Sequence, residues 1–304
     1  IHGSLNLRAD FVFKSNATGA GIVFSSDSID EIINFSGSPI ISPDFKTNNI
    51  GFNGEGSWKL EDSISMLGDT AYNYNSAILV SNGLLNTNGH TIKTGRISVS
   101  NGAAIDISGS ALFLNESFGE VWEVNGDLIS ADSSIIYMTG TDTGSLGFKG
   151  DSYSYPEVHA YKDCHFYGGN DTIGDLYLKR GFEYTIDSSA TITIENDIVL
   201  FDTSSVNTTL RSSDSIVTAT ITKASGNICL NKVDVKNIEV TGLATFTMGY
   251  GSNDLGGNTG WGSSNSYCHA YLGGKVFTHD SLPYSNEEVV LFDMMGSALA
   301  DTVA

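Results

Sequence analysis

The sequence predicts an all-β fold, a parallel β-helix (solenoid), and three observations carry this prediction. Apolar runs of two to five residues are each closed by Gly or Asn-Gly, as between Gly83 and Gly102. Several runs alternate apolar and polar residues with period two, as in Arg96–Ser100, which indicates strands. The pattern recurs about every 20 residues, within the range of stacked repeats. Strands this short and numerous favour a solenoid over a two-sheet sandwich, whose strands run longer.

The predicted strands follow the apolar runs, and Gly, Asn and Ser mark the corners between them. Asn53–Gly56 is predicted to be a turn, and Asp151–Tyr167 is predicted to be a tyrosine-rich loop. The strand-forming runs are Leu5–Leu7, Phe11–Phe13, Ile22–Phe24, Ile32–Phe35, Ile50–Phe52, Trp58–Leu60, Ile78–Val80, Leu84–Leu85, Thr91–Ile92, Ile97–Val99, Ile105–Ile107, Ala111–Leu114, Val121–Val124, Leu128–Ile129, Ile135–Met138, Leu146–Phe148, Leu176–Leu178, Tyr184–Ile186, Thr191–Ile194, Ile198–Phe201, Ile216–Ile221, Ile228–Leu230, Val233–Val235, Ile238–Val240, Phe246–Met248 and Gly260–Trp261.

The texture of the sequence changes after Leu272. Residues 274–293 read as longer alternating strands of a β-sandwich, but this segment is too short to build a core alone. We therefore predict a parallel β-helix over 1–262, a linker over 263–271 and a partial β-sandwich module over 272–304. Because the chain begins and ends inside strand-like patterns, we expect it to be a piece of a longer protein.

Composition narrows the classes of partner. The 304 residues contain 35 acidic and 15 basic side chains, a formal charge of −20. Such a surface repels phosphate backbones and anionic lipid, which argues against nucleic-acid and membrane-surface binding. No apolar run approaches the ~20 residues of a membrane helix, so the chain is expected not to be membrane-embedded. The acidity either keeps an extracellular surface soluble or binds divalent cations.

Three cysteines, Cys164, Cys229 and Cys268, lack the spacing of zinc or redox motifs. Two interpretations stay open at this point. All three can be buried thiols, or one disulfide forms, with Cys229 and Cys268 as the favoured pair, which requires an oxidising compartment.

Four stretches resemble a known kind of module. They are Phe52–Leu60, Gly83–Gly89, Gly226–Leu230 and Ser252–Trp261. In this order they resemble the right-handed β-helix units of very large secreted Bacteroidota proteins, which include gliding-type surface adhesins exported by the type IX system. Residues 272–304 resemble the start of a prealbumin-like or carboxypeptidase-regulatory-like module.

The resemblance implies a passive extracellular role, with no catalytic residues to transfer and no cofactor. It implies a non-catalytic structural or adhesive segment at the cell surface. The partners that it implies are other modules of the same long chain, together with surface polysaccharide or the secretion machinery. It also implies the Cys229–Cys268 disulfide, with Cys164 left unpaired.

Seven Asp-(Ser/Thr)-apolar triplets are similar to the O-glycosylation acceptors of exported Bacteroidota proteins. The alternative is that Asp-Ser and Asp-Thr are good corner residues. The acceptor hydroxyls would belong to Ser28, Ser63, Thr70, Thr172, Ser215, Ser281 and Thr302.

Because parallel β-helices also host polysaccharide lyases and glycosidases, a carbohydrate-binding or polysaccharide-degrading protein is the alternative function. Such sites need clustered carboxylates, often with a base or a calcium ion. The candidates form no recognised constellation, so the prediction is that the chain is not an enzyme. They are Asp163 with His165, Asp171 and Asp175 near Lys179 and Arg180, and Asp142.

Two weaker features remain. Tyr153, Tyr155, Tyr161 and Tyr167 offer rings that can stack on sugars or cover the open side of the solenoid. Asn253–Asp254 and Asp142 lie in Asp/Gly-rich loops that can bind calcium, although no EF-hand series is present.

Overall fold

The computed structural model describes residues 1–6, 21–36, 49–66, 76–116, 119–140 and 144–268, and the strands at 289–292 and 298–302. The chain divides into two compact units, Ile1–Cys268 and His269–Ala304. None of the described residues is helical, so the all-β prediction is confirmed. Likewise, no helix long and apolar enough to cross a membrane occurs in this part of the chain.

The strands of the described residues are, in chain order, β1 (Leu5–Asn6), β2 (Gly21–Phe24), β3 (Glu31–Asn34), β4 (Asn49–Leu60), β5 (Ile64–Ser65), β6 (Ala77–Asn86), β7 (Ile92–Thr94), β8 (Arg96–Val99), β9 (Ala103–Asp106), β10 (Ala111–Leu114), β11 (Gly119–Val124), β12 (Asp127–Ser130), β13 (Ile135–Met138), β14 (Leu146–Lys149), β15 (Ser154–Ala160), β16 (Cys164–Tyr167), β17 (Thr172–Lys179), β18 (Glu183–Ile186), β19 (Thr191–Phe201), β20 (Thr208–Ser212), β21 (Ala219–Lys223), β22 (Asn227–Leu230), β23 (Val233–Lys236), β24 (Ile238–Gly242), β25 (Thr245–Met248), β26 (Asn253–Asp254), β27 (Trp261–Ser263), β28 (Val289–Phe292) and β29 (Ala298–Thr302).

The first unit is a parallel β-solenoid, as predicted, and it has about eight turns. Its strands form a first sheet of fifteen strands, a second sheet of nine (β5, β7, β10, β13, β15, β17, β19, β21 and β24) and a third sheet of β22, β25 and β27. Strands that are neighbours in a sheet come from successive turns. The turn length varies: paired residues Phe148 and Phe166 are 18 positions apart, and Ile192 and Ile221 are 29 apart.

The core is a continuous column of side chains that point inward from every turn. It contains Trp58, Trp122, Phe24 and Phe52, each fully buried. Phe24 and Phe52 lie on adjacent turns and stack at 5.3 Å between ring centroids. Burial of one such side chain contributes about 1.5–3 kcal/mol, so the column accounts for much of the stability.

One corner geometry recurs between successive strands. The amide of the fourth residue donates to the carbonyl of the first, at His90 N to Thr87 O and at Ser134 N to Ala131 O, both close to 3 Å. The third residue has positive φ, for example Gly89 at 74° and Ser133 at 58°. Glycine adopts this conformation without cost, which explains the Asn-Gly and Gly punctuation of the sequence.

Two sequence predictions are wrong. Asn53–Gly56 is not a turn, because β4 continues through it and bends there. A Cβ at Gly56 would lie 2.0 Å from Ser28 O, so glycine allows the turns to stack closely at the bend. Asp151–Tyr167 is not a loop, because it contains the strands β15 and β16.

The second unit is described only by β28 and β29, which pair antiparallel. Alternating longer strands were expected here, and the β-sandwich itself stays a prediction. The predicted strand Phe11–Phe13 lies outside the described residues.

Candidate functional site

The outer surface of the second sheet carries a row of stacked rings. Phe113, Tyr137, His159 and Tyr177 occupy matching positions in β10, β13, β15 and β17. We call these four residues the aromatic row. Their ring centroids are 4.6, 4.6 and 4.2 Å apart in that order. The row exists because parallel pairing places equivalent residues of successive turns next to each other, about 4.8 Å apart.

The ring faces of the aromatic row are covered by one another. Phe113 and Tyr137 are inclined by 12° and His159 and Tyr177 by 8°, whereas the middle pair, Tyr137 and His159, is tilted by 42°. Lys93 Nζ lies 5.6 Å from the Phe113 centroid at the end of the row. Sugar binding by stacking requires a free ring face. The row therefore offers a ligand mainly ring edges and the hydroxyls of its two tyrosines.

A second row on the same surface is acidic. Glu157, Asp175 and Asp197 pair in register on three successive turns. Glu157 and Asp175 each lie two residues before a member of the aromatic row, and Asp197 lies two residues before the residue of β19 that pairs with Tyr177. We call them the acidic row. Glu157 Oε1 lies 2.5 Å from His159 Nε2, and Asp175 Oδ2 accepts from Asn196 Nδ2 at 3.1 Å. Three carboxylates thus lie beside stacked rings.

Burial is the main electrostatic cost at Asp197. It raises the pKa of this carboxyl, the Ile198 amide and Lys223 oppose the shift, and Asp175 adds a smaller increase. Burial also raises the pKa of the Tyr177 hydroxyl, with added contributions from Asp175 and Glu157. The surface is therefore a region of negative potential.

A bulge in β19 brings Asp197 into the acidic row. The register between β17 and β19 shifts there, because two residues of β19, Glu195 and Asn196, lie opposite the single residue Gly174 of β17. The buried Lys223 donates from Nζ to Glu195 O at 2.7 Å and to Asn196 O at 2.5 Å. A single lysine thus supports the two carbonyls that the bulge leaves outside the ladder.

The predicted pair Asp163 and His165 does not form a dyad. His165 Nε2 instead lies 2.6 Å from Asp187 Oδ1, and its ring stacks on Tyr167 at 3.9 Å. Asp163 Oδ1 accepts from Glu183 N at 2.7 Å, which joins two turns. Asp187 is the partner that the sequence analysis missed, since it lies 22 residues from His165.

The predicted group of Asp171, Asp175, Lys179 and Arg180 is dispersed. Asp171 is buried at a corner, where Oδ1 accepts from Ser152 N at 2.9 Å, and burial raises its pKa to about 7. Lys179 Nζ pairs with Asp202 at 3.3 Å. Arg180 Nη1 donates to Asn231 O at 3.0 Å.

Two of the four predicted tyrosines, Tyr153 and Tyr155, make hydrogen bonds within the solenoid. Tyr155 is fully buried, donates to Gly150 O at 2.8 Å and accepts from Trp122 Nε1 at 3.2 Å. Tyr153 donates to Gly126 O at 3.0 Å. Tyr155 therefore cannot be a sugar platform.

The disulfide prediction is confirmed. Cys229 and Cys268 are bonded, with Cα atoms 5.5 Å apart. Cys164 is a free, buried thiol, and burial raises its pKa well above the usual range.

The predicted glycosylation acceptors differ in exposure. Ser28, Ser63 and Ser215 are exposed and Thr172 is half-buried, whereas the side chains of Thr70, Ser281 and Thr302 lie outside the described residues. The preceding aspartates act at corners: Asp27 Oδ1 accepts from Glu55 N at 3.2 Å, and Asp214 Oδ1 accepts from Ile216 N at 2.7 Å. These aspartates therefore stabilise corners, as the alternative interpretation predicts, and the hydroxyls of Ser28 and Ser215 stay exposed.

The calcium candidates are engaged within the protein. Asp254 Oδ1 accepts from Gly256 N at 2.8 Å and from Asn258 Nδ2 at 2.6 Å. Asn253 Nδ2 donates to Asp234 Oδ1 at 2.6 Å. Asp142 lies outside the described residues. Among those that are described, no three His, Cys, Asp or Glu side chains form a group suited to a metal ion.

The geometry defines a parallel β-solenoid with one surface of acidic and aromatic rows and one disulfide. Comparisons with protein-family models, with curated proteins and with solved structures give no match for this chain.

Proposed function

We propose that this chain is a rigid, non-catalytic segment of a large extracellular or cell-surface protein, an adhesin or filament of the Bacteroidota type exported by the type IX system. The observation that carries the proposal is the unbroken apolar column under stacked parallel turns. A ladder of this kind holds a fixed length and resists local opening, because each turn is hydrogen-bonded on both sides.

The use of the carboxylates supports a structural role. Two of the candidates, Asp163 and Asp171, accept hydrogen bonds from backbone amides of neighbouring turns. A catalytic carboxylate must instead reach a substrate. The candidates taken from the sequence thus act mainly to join one turn to the next.

The compartment is supported by two features. A disulfide is compatible with an oxidising, extracellular environment. The exposed hydroxyls of Ser28, Ser63 and Ser215 are accessible to O-glycosylation, which the resemblance implies. The partners proposed are neighbouring modules of the same long chain, together with surface polysaccharide or the secretion machinery.

The proposal is tested by incubating the purified chain with neutral and acidic polysaccharides, with and without calcium. No new reducing or unsaturated ends are expected, and their release would overturn the non-catalytic role.

Antibody labelling of intact producing cells is expected to detect the chain at the surface. The intact mass of the native protein reports any glycan.

The acidic and aromatic rows favour a second candidate, a carbohydrate-binding or polysaccharide-degrading surface. Carboxylates from successive turns beside rings are the groups that glycan recognition needs. The covered ring faces and the Glu157–His159 contact weigh against it. A glycan-array screen tests it, with Asp175→Asn as the variant: binding that this change abolishes would favour the second candidate.

A further inference from the structure

The C-terminal end of the solenoid is the place where tension from the second unit enters the first. Cys268 is the last residue of the first unit, and His269 is the first of the second. Segment 264–268 follows the last strand and is attached to earlier turns by single hydrogen bonds, which include Ser264 N to Met248 O at 2.8 Å, Tyr250 N to Ser266 O at 3.0 Å and Cys268 N to Asn231 Oδ1 at 2.9 Å.

Without the disulfide, this end of the solenoid would be held against a pulling force by a small number of hydrogen bonds. β27 pairs with β25 over only three positions, and β26 pairs with β23 over two. Tyr267, beside the point of attachment, has 64% of its surface exposed and stacks on Tyr250 at 4.2 Å between ring centroids. A pull on Cys268 would therefore open these short strands in sequence, a few hydrogen bonds at a time.

The disulfide carries the same pull to a more secure place. Cys229 lies in β22 between Ile228 and Leu230, both buried. β22 itself pairs with β25 alone, but the strands before and after it are held on both sides: β21 pairs with β19 and β24, and β23 pairs with β20 and β26. Movement of Cys229 would require the loss of buried side chains and of several strand pairings together.

From this geometry we propose that the Cys229–Cys268 disulfide is a load bypass. Tension that arrives at Cys268 passes through the sulfur atoms to β22, and residues 230–267, the last turns of the solenoid, carry none of it. The inference rests on the proposed role as a rigid segment that holds distance. It assigns the bond a mechanical task in addition to its effect on equilibrium stability.

Single-molecule stretching of the whole chain between its two termini tests the bypass. With the disulfide intact, the solenoid is expected to open only at high force. After reduction with a phosphine, or in Cys229→Ser/Cys268→Ser, an early step at low force is expected as the last turns peel. Full extension then gains the 39 residues that the bond had closed, about 130–140 Å at the length of an extended residue.

The matched control is Cys164→Ala, which keeps the disulfide and removes the free thiol. This variant is expected to show no early step before reduction and the same early step afterwards. The bypass is overturned if the reduced chain opens residues 230–267 only together with the rest, at the force of the oxidised chain. If the main part of the solenoid opens at low force in both forms, the rigid-segment role is overturned. An additional, still earlier step that is confined to the reduced form would nevertheless support the bypass.

Discussion

The inner and outer sides of β13, β15 and β17 obey the same register but use it for different ends. On the inner side, Val158 and Leu176 join an apolar column that is closed to solvent. On the outer side, His159 and Tyr177 form a half-exposed stack beside like-charged carboxylates. Parallel stacking places side chains of similar type next to each other on successive turns. Inside, this repeats favourable apolar contacts, and outside, the repulsion between like charges is tolerated because water and salt screen it.

The largest difference is expected between two tyrosines on neighbouring strands, Tyr155 and Tyr177. Tyr155→Ala should lower the free energy of unfolding by about 3–5 kcal/mol, the cost of emptying a buried aromatic site. It also leaves Trp122 Nε1 and Gly150 O without their partner. Tyr177→Ala should cost about 0.5–1.5 kcal/mol, the contribution of an outer ring stack. Urea unfolding of both variants measures this, and equal costs would contradict the comparison.

The next effect concerns the disulfide at the end of the column. Cys229→Ser/Cys268→Ser should lower the free energy of unfolding by about 2–4 kcal/mol, because the unfolded chain regains the freedom of a closed loop. Thermal unfolding in oxidising buffer provides the measurement. Reductant should destabilise the unmodified chain by a similar amount and leave the double variant unchanged. A response of the double variant to reductant would show that another group is involved.

Buried and outer carboxylates should also differ in their pH dependence. The pKa of Asp171 is about 7 in the folded chain, above its usual value of 3.8. Folding therefore favours the protonated form, and stability is lost as pH rises from about 4 through 7. Asp171→Asn should remove this loss, so its stability relative to the unmodified chain should increase by about 2–4 kcal/mol between pH 4 and 8.

The exposed Asp132 provides the control for this prediction. Asp132→Asn makes the same chemical change at a carboxylate on the surface, so it controls for the substitution itself. Urea midpoints at pH 4, 6 and 8 supply the comparison. Parallel pH curves for the unmodified chain and Asp171→Asn would contradict a buried, titrating carboxylate.

The solenoid and much of its strand order can be predicted from the sequence, because period-two alternation and Gly punctuation are local signals. Two local signals misled: Asn53–Gly56 bends within β4, and the polar and aromatic residues 151–167 form strands. In both places, pairing with neighbouring turns overrides the local turn preference. The disulfide pairing needed the resemblance as well as the cysteine count.

The acidic and aromatic rows could not be predicted, because they depend on register between turns. Glu157 and Asp175 are 18 positions apart, and Asp175 and Asp197 are 22 apart. The difference arises partly from the bulge that Lys223 supports in β19. A fixed period of 20 residues would place none of these carboxylates together. His165 and Asp187, which are 22 positions apart, could not be paired from the sequence for the same reason.

The smallest expected effect lies in the acidic row itself. Asp197→Asn removes a carboxylate whose charged form is disfavoured mainly by burial and to a smaller extent by Asp175, while Lys223 favours it, so the free energy of unfolding should rise by up to about 0.5 kcal/mol at low salt. High salt should reduce the part of the gain that comes from Asp175, because exposed charges are screened within about 10 Å at 0.1 M ionic strength. The Asp132→Asn change, outside the row, should give no such salt-dependent gain. A loss of stability in Asp197→Asn would mean that the carboxylate is held by an attractive contact, such as Lys223, more strongly than Asp175 repels it.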